Sequence, residues 1–298
     1  MATLVRRAPF RFSDGPARDE HKLAQREPLL GAVDINAFEA MTALDGMRAR
    51  AAKQFDEEDA RHSLALETLW HCAFPGDAFP RPFERHSERW SELGFQGRDP
   101  VTDLRGGGYL ALEHLVRFVV GSRGLATEDY DPTFPLAIAS INCTAMLIKH
   151  FSLHQSLVLP FPGASEQPEC STGALHHLLA LHHSGTDALQ TIHANLLGCL
   201  QREWRRLERP GRTIMDFPVA LGRAYRRLCD ATPPGWGSVA PQEWLHRVGA
   251  RLQVEHGHGS FGEMYAHDCC AHPGAALALI VLLLRSLAAR PPHGVVAS

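Results

Sequence analysis

The chain has 298 residues, of which 45% are hydrophobic and 21% are charged, and its formal net charge is −3. This length and composition are typical of one or two globular domains with a substantial core. The small negative charge argues against binding nucleic acid through a generally basic surface. The seven cysteines are odd in number and include no C-x-x-C pair, which favours reduced thiols in a cytoplasmic protein.

The first predicted elements come before the proline-rich loop at 74–83. Residues 1–32 are rich in Arg, Pro and Asp, which predicts a flexible N-terminal arm. Apolar residues then recur at three-residue steps and predict a helix with a core-facing stripe, so that 33–60 forms an N-terminal helical extension. The stripe consists of Ile35, Phe38, Met41 and Leu44. A second helix is predicted over Asp59–Cys72.

The middle of the chain predicts a short helix, a turn and two longer helices. The short helix covers Glu84–Leu93. Thr102 or Asp103 is expected to cap the next helix, because a side-chain oxygen there accepts from free backbone N–H groups. A core-facing stripe runs up to Gly121, and Leu136–Leu157 is apolar nearly all round, which predicts a central buried helix. The stripe consists of Leu112, Leu115, Val116 and Val119.

The later elements continue the helical pattern. Ser171 or Thr172 is expected to cap a helix that ends at His183, and Thr186 or Asp187 one that ends near Leu207. Pro218 marks another helix start. No alternating strand pattern appears, so we predict an all-α fold.

The last region, 231–298, is predicted to contain a linker followed by helices. Residues 231–240 form the linker, and an amphipathic helix follows over Pro241–Val254. The apolar run at 274–284 is shorter than the roughly 20 residues that a membrane-spanning helix needs, and we predict a buried terminal helix there.

Arg105 is the residue with the most unusual surroundings in this sequence. It lies between a Thr-Asp pair and three consecutive glycines. Glycine permits a close approach of other chains and a left-handed backbone, and the guanidinium is a permanent planar cation. The pattern predicts an arginine presented on a tight turn before a helix. From the residues alone, a surface arginine paired with a carboxylate remains the alternative.

The segment from Trp90 to Phe118 resembles the ELMO-domain family, whose motif has the form W-x3-G-F-Q, then P-x-T-D-F-R-G-x-G, then three spaced apolar residues. Leu104 stands where the family usually has Phe, which keeps an apolar anchor. The resemblance extends over about 61–230, which we take as the ELMO domain. The matching residues are Trp90, Gly94, Phe95, Gln96, Pro100, Thr102, Asp103, Arg105, Gly106, Gly108, Leu112, Leu115 and Phe118.

The resemblance implies a GTPase-activating protein for an Arf- or Arl-family small GTPase in its GTP-bound form. Arg105 would be the catalytic arginine finger, supplied in trans. We expect Asp103 to orient its guanidinium, Gln96 to contact either the partner or the arginine turn, Thr102 to contact the partner, and the glycines to leave room for it. The glycines are Gly106, Gly107 and Gly108. Trp90, Phe95 and Leu104 are expected to be core anchors.

The competing function is a noncatalytic ELMO-domain scaffold or structural interaction module, in a GTPase-regulatory, cytoskeletal or ciliary complex. Arg105 would then stabilise the domain itself by bonding carbonyls or an internal acid. The localisation is expected to be cytoplasmic, with a membrane surface, a larger complex, the cytoskeleton or the cilium left open as a site of attachment.

Other chemistry-bearing patterns are weak. Glycines 106–108 lack the lysine of a Walker A motif, so the chain is not predicted to hydrolyse nucleotide itself or to need a cofactor. The His/Cys-rich segment 256–272 has zinc-type ligands without a regular finger spacing, and no metal site is predicted. The basic run 204–212 is interpreted as a helix end favoured by the dipole, with contact to acidic lipid or a partner as the alternative.

Overall fold

Helices account for every regular element in the part of the chain that the structure describes. The computed structural model describes residues 35–74, 82–121, 133–154, 170–207, 213–236 and 238–253, with residues 131, 157, 159, 161 and 164. Within these ranges there is no strand, so the predicted all-α fold is confirmed. The α-helices are α1 (Ala37–Ala52), α2 (Ala60–Ala73), α3 (Gly108–Gly121), α4 (Leu136–His150), α5 (Thr172–His183), α6 (Ala188–Arg206), α7 (Phe217–Ala231) and α8 (Pro241–Gln253).

Side-chain caps fix the starts of four helices. Asn36 accepts from the backbone N–H groups of the first turn of α1, and its own N–H donates to Glu39 to complete a capping box. Asp59 caps α2, Ser171 caps α5 and Asp187 caps α6. The last two were among the predicted caps. Each supplies an acceptor to an N–H that has no partner inside its own helix.

The core is centred on α4 and α6. Of the 15 residues of α4, 12 are buried, and of the 19 residues of α6, 15 are buried. α4 packs against α3 and α6, while α6 also packs against α7 and α8. The predicted central buried helix is therefore confirmed, although it ends at His150 rather than at Leu157.

The stripe predicted for α1 faces the core only in part. Ile35 is buried and Leu44 is half-buried against the core, but Phe38 is 76% exposed and Met41 is 63% exposed. The helix instead buries Ala43, Met47 and Ala51. A step of three residues rotates the side-chain direction by about 60° short of a full turn, so a run of such steps spreads across the helix surface. The buried side chains are four residues apart and stay closer to one face.

An ionic network joins α1, α3 and the start of α6. Arg50 donates to Glu113 at 3.0 Å and to Asp187 at 3.3 Å, and Arg117 also donates to Asp187. The arginines help to lower the pKa of the Asp187 carboxyl against the effect of burial, which raises it. Since Asp187 also caps α6, one carboxylate ties three helices together.

Three segments singled out in the sequence lie outside the described residues. They are the arm at 1–32, the His/Cys-rich segment 256–272 and the apolar run 274–284. Among the helices that are described, none has the length and apolar character required to cross a bilayer. The same residues contain no cluster of three metal-ligating side chains.

Buried histidines form a second polar feature of the core. His114 shares a hydrogen bond of 3.0 Å with Thr144, and His193 shares one of 3.0 Å with Ser140. The centroids of these two imidazole rings lie 4.6 Å apart. His150 shares a hydrogen bond of 2.8 Å with the hydroxyl of Thr232, the residue that follows α7. Burial lowers the pKa of His193 to about 4 and that of His150 to about 4, and lowers the pKa of His114 well below its usual value.

These histidines make the fold sensitive to acid. The native state holds them neutral, whereas the unfolded chain binds a proton at each below about pH 6.5. We expect the free energy of unfolding to fall as pH falls from about 6.5 toward about 4, the pKa of His150 and His193, because the unfolded chain then binds more protons than the native state. Urea denaturation across this range measures the slope.

Substitutions of single histidines test whether the buried imidazole rings cause this pH dependence. His193→Gln removes one buried ring and should reduce the pH dependence by one histidine's share, with His150→Gln as the second variant if the first does not fold. His246→Gln, at an exposed position on α8, should leave the slope unchanged. Equal slopes for all the proteins would contradict the assignment.

Candidate functional site

The indole of Trp90 anchors the segment that precedes the candidate site. It lies in a 3₁₀ helix, Glu88–Leu93, and is fully buried. Its Nε1 donates to the carbonyls of Glu84 and Arg85 at 3.1 and 3.0 Å, and its ring meets that of Phe95 edge-on at 5.5 Å. The expectation that Trp90 and Phe95 are core anchors is confirmed.

Gly94 ends that 3₁₀ helix and brings it against α4. Its φ is +93°, and a Cβ at this position would lie 2.6 Å from backbone atoms of Pro135 and Leu136. The backbone N–H of Ile138 also donates to the Gly94 carbonyl. No side chain fits there without displacing the start of α4, so this glycine sets how close the two segments lie.

Arg105 lies on the next 3₁₀ helix, Pro100–Gly106, which we name the arginine turn. Asp99 caps the arginine turn by accepting from the N–H of Val101 at 3.1 Å, and Pro100 at the first position has no N–H to satisfy. The Asp99 carboxylate also receives two bonds of 3.3 Å from Arg85. The start of the arginine turn is thereby tied to the segment that holds Trp90.

Neither of the predicted caps performs that role for the following helix. The hydroxyl of Thr102 donates to the Asp99 carbonyl at 2.8 Å, inside the arginine turn. The carboxylate of Asp103 accepts from the backbone N–H of Gln96 at 2.8 Å. The prediction was wrong because both residues lie within the 3₁₀ helix of the arginine turn, and α3 begins only at Gly108.

The Asp103–Gln96 bond joins the arginine turn to the loop after Trp90. Burial raises the pKa of the Asp103 carboxyl, and the N–H of Gln96 opposes that rise. We expected Asp103 to orient the guanidinium of Arg105. The structure instead gives its carboxylate to the backbone of Gln96, so Asp103 positions the turn rather than the arginine side chain.

Arg105 itself points away from the interior. Its residue is exposed, whereas the preceding Leu104 is buried and fixes the backbone, as its place as an apolar anchor predicted. The Arg105 side chain makes no hydrogen bond or ion pair with any described residue. Among these residues it therefore bonds neither a carbonyl nor an acid, and none of them occupies the donors of its guanidinium.

The three glycines have different surroundings. Gly106 is exposed, but Gly107 and Gly108 are buried. A Cβ on Gly107 would lie 2.8 Å from the Cβ of Ala111, and one on Gly108, whose φ is +60°, would lie 2.3 Å from the carbonyl oxygen of Lys53. Gly107 and Gly108 therefore permit close packing within the domain rather than leaving room for a partner, and for the exposed Gly106 that expectation stays a prediction.

A cavity that the sequence did not reveal lies beside Gln96, whose backbone N–H is bonded to Asp103 of the arginine turn. It has a volume of about 420 Å³ and is lined by Phe95 and Gln96, the start of α4 and the start of α7. Ile138 lines it, and Ile141, less than one helical turn further along α4, lies near Gly106, since a Cβ built on Gly106 would be 3.6 Å from the Ile141 side chain. Its walls include Ile214 and Phe217, more than 100 residues from Gln96, so no local sequence pattern could indicate it.

The fold and the fixed, exposed arginine define a helical domain that presents a cation on a braced turn. Residues 45–221, more than half of the chain, match the model of the ELMO/CED-12 family. The chain therefore belongs to the ELMO/CED-12 family. The match begins within α1 and ends within α7, while the limits 61–230 that we assigned to the domain from the sequence stay a prediction.

Curated relatives carry the same domain name. ELMO domain-containing protein B of Dictyostelium discoideum is 32% identical over 134 residues, covering 40% of this chain and 46% of that protein. ELMO domain-containing protein 3 of Homo sapiens is 34% identical over 102 residues, covering 32% and 26% respectively. ELMO domain-containing protein 2 of Bos taurus is 33% identical over 115 residues, covering 37% of each. The match thus spans less than half of each relative, and no solved structure matches the chain.

The close approach at Gly108 gives a stability prediction. Gly108→Ala places a methyl group against the Lys53 carbonyl and forces a left-handed backbone on alanine. We expect a loss of about 2–4 kcal/mol in the free energy of unfolding, measured by urea denaturation. Gly97→Ala is the matched control, since a Cβ there meets nothing within 4 Å. Similar stability of the two variants would show that the arginine turn does not depend on this contact.

Proposed function

We propose that this protein activates GTP hydrolysis by a small GTPase of the Arf/Arl family and that Arg105 enters the partner's active site as an arginine finger. The observation that supports it is an exposed arginine, unpaired among the described residues, on a turn whose backbone is held from both ends. The choice of Arf/Arl partner rests on the resemblance of the T-D-L-R-G segment to the activating branch of the family.

The chemistry needs a cation that the GTPase lacks. Charge spreads over the transferring phosphoryl group in the transition state, and an arginine supplied in trans stabilises it, which is worth about 10³–10⁵ in rate. A guanidinium is always protonated and offers donors in a planar fork that matches phosphate oxygens. Arg105 meets both requirements without first breaking a bond to a described residue.

The turn also meets the positional requirement. Transition-state stabilisation depends on donors that are held in place before the reaction. Asp99 is tied to Arg85 at the start of the arginine turn, Asp103 is tied to Gln96, and Leu104 is buried. The backbone that carries Arg105 is thus braced before the partner binds.

The surrounding surface supplies the partner contacts in this proposal. Gln96, Thr102 and Gly106 are exposed beside Arg105, and Gln96 also lines the adjoining cavity. The small size of Gly106 leaves the guanidinium accessible on one side. Gly107 and Gly108 contribute indirectly, because they let the turn pack against α4 and the end of α1.

Single-turnover GTP hydrolysis by a panel of Arf- and Arl-family GTPases tests the proposal. Wild-type protein should accelerate at least one of them, and Arg105→Ala should lose on the order of 10³-fold or more of that acceleration. Arg105→Lys should also lose most of it, because an ammonium lacks the fork of donors. Arg98→Ala, which removes a neighbouring exposed arginine paired with Glu88 at 3.1 Å, should retain activity.

Two results would contradict the proposal that Arg105 acts as an arginine finger. One is full stimulation by both Arg105 variants with thermal melting unchanged. The other is no stimulation of any GTPase in the panel by wild-type protein. Binding to a GTP-loaded GTPase without stimulation would instead support the noncatalytic interaction module, in which the same surface holds a partner and leaves its chemistry unchanged.

A further inference from the structure

The outward face of α7 combines exposed apolar and basic side chains. Met215 is 81% exposed, Ile214 is 58% exposed and Val219 is 49% exposed. Ile214 and Met215 lie in the 3₁₀ helix Ile214–Asp216 directly before α7, and along α7 the exposed positions continue from Val219 to Arg223 and Arg226, at steps of four and three residues. This spacing places them on one side of the helix.

The end of α6 adds positive charge beside that face. Glu203 is buried and is approached by Arg206 at 2.6 Å and by Arg223 and Arg227 at 3.9 Å each. One carboxylate thus gathers three guanidinium groups from two helices. Residues 202–207 and 213–230 hold six arginines against three acidic residues, in a chain whose formal net charge is −3.

A second pair of exposed apolar side chains lacks this charge. Phe38 and Met41 on α1 are as exposed as the apolar residues of α7. Glu39 lies between them and Asp45 follows on the same helix. Apolar exposure alone therefore does not distinguish the α7 face, whereas the coincidence of apolar exposure with excess positive charge does.

We propose that this face docks on an anionic phospholipid surface. We name it the α7 surface and define it by six residues: Arg206, Ile214, Met215, Val219, Arg223 and Arg226. Apolar side chains enter the boundary between headgroups and acyl chains, and basic side chains near the surface are attracted by about 1 kcal/mol each, or roughly five-fold in affinity. The arrangement fits peripheral attachment, with insertion of side chains only.

The α7 surface adjoins the candidate functional site. Ile214 lines the same cavity as Gln96, and Gln96 is bonded to the arginine turn. Attachment through α7 would therefore keep Arg105 close to the lipid. This inference goes beyond the proposed GTPase activation and does not depend on it, since vesicle binding is measured without any GTPase.

Vesicle sedimentation with the full chain tests the proposal. Wild-type protein should bind vesicles made of equal parts phosphatidylserine and phosphatidylcholine, and bind vesicles of phosphatidylcholine alone much more weakly. Arg223→Ala with Arg226→Ala should lower the affinity on the order of twenty-fold. Met215→Ser with Val219→Ser should lower it on the order of ten-fold, because partly buried apolar area is lost.

Matched controls come from α1. Phe38→Ser with Met41→Ser removes two comparably exposed apolar side chains, and Arg48→Ala removes an exposed arginine; both should bind anionic vesicles as wild type does. Circular dichroism and thermal melting establish that each variant folds.

Three outcomes would overturn the proposal. The first is no binding of wild-type protein to anionic vesicles. The second is equal binding to anionic and neutral vesicles. The third is an equal loss for the α1 and α7 variants, which would show that the contact is not specific to the α7 surface and would leave it as a candidate contact for a protein partner instead.

Discussion

The arginine turn depends on two places where backbone approaches backbone more closely than a side chain permits. At Gly94 the loop after Trp90 lies against the start of α4, and at Gly108 the start of α3 lies against the Lys53 carbonyl. The N–H of Tyr109 donates to that same carbonyl at 2.8 Å. Because both contacts involve main chain, neither can relax by a change of rotamer, and the segment between them has little freedom to move.

The residues that hold the arginine turn in place are therefore different from Arg105, the residue whose side chain the turn exposes. Asp99, Asp103 and Leu104 use their side chains for the fold, while Arg105 uses none of its donors on described residues. A guanidinium side chain carries about 2 kcal/mol of rotamer entropy that is lost when a partner orders it. Because the backbone is already fixed, this side-chain entropy is the main entropic cost of placing Arg105 in a partner's active site. An arginine supplied in trans is most effective when that cost is small.

The sequence predicted the parts of the site that are local and missed those that are not. The sequence correctly predicted that three apolar residues of the motif are buried: Trp90, Phe95 and Leu104. Their burial can be inferred from the neighbouring residues of the motif alone. Asp99 was missed as a cap because a 3₁₀ helix of seven residues leaves no periodic pattern. The cavity could not be found, since α4 and α7 meet at Gln96 only in the folded chain. Phe38 shows the same limit, because apolar spacing indicates a helix but not which face another helix covers.

Positive charge is concentrated around Glu203, because this buried carboxylate is paired with arginines from two helices. A buried carboxylate is costly unless it is paired, so Glu203 requires cations around it. Arg206, Arg223 and Arg227 meet that requirement from two helices. Arg223 lies on the exposed side of α7, the helix that follows the exposed side chains of Ile214 and Met215. Since Ile214 also lines the cavity beside Gln96, an attachment through the α7 surface would fix the orientation of the arginine turn toward a partner on the same lipid surface.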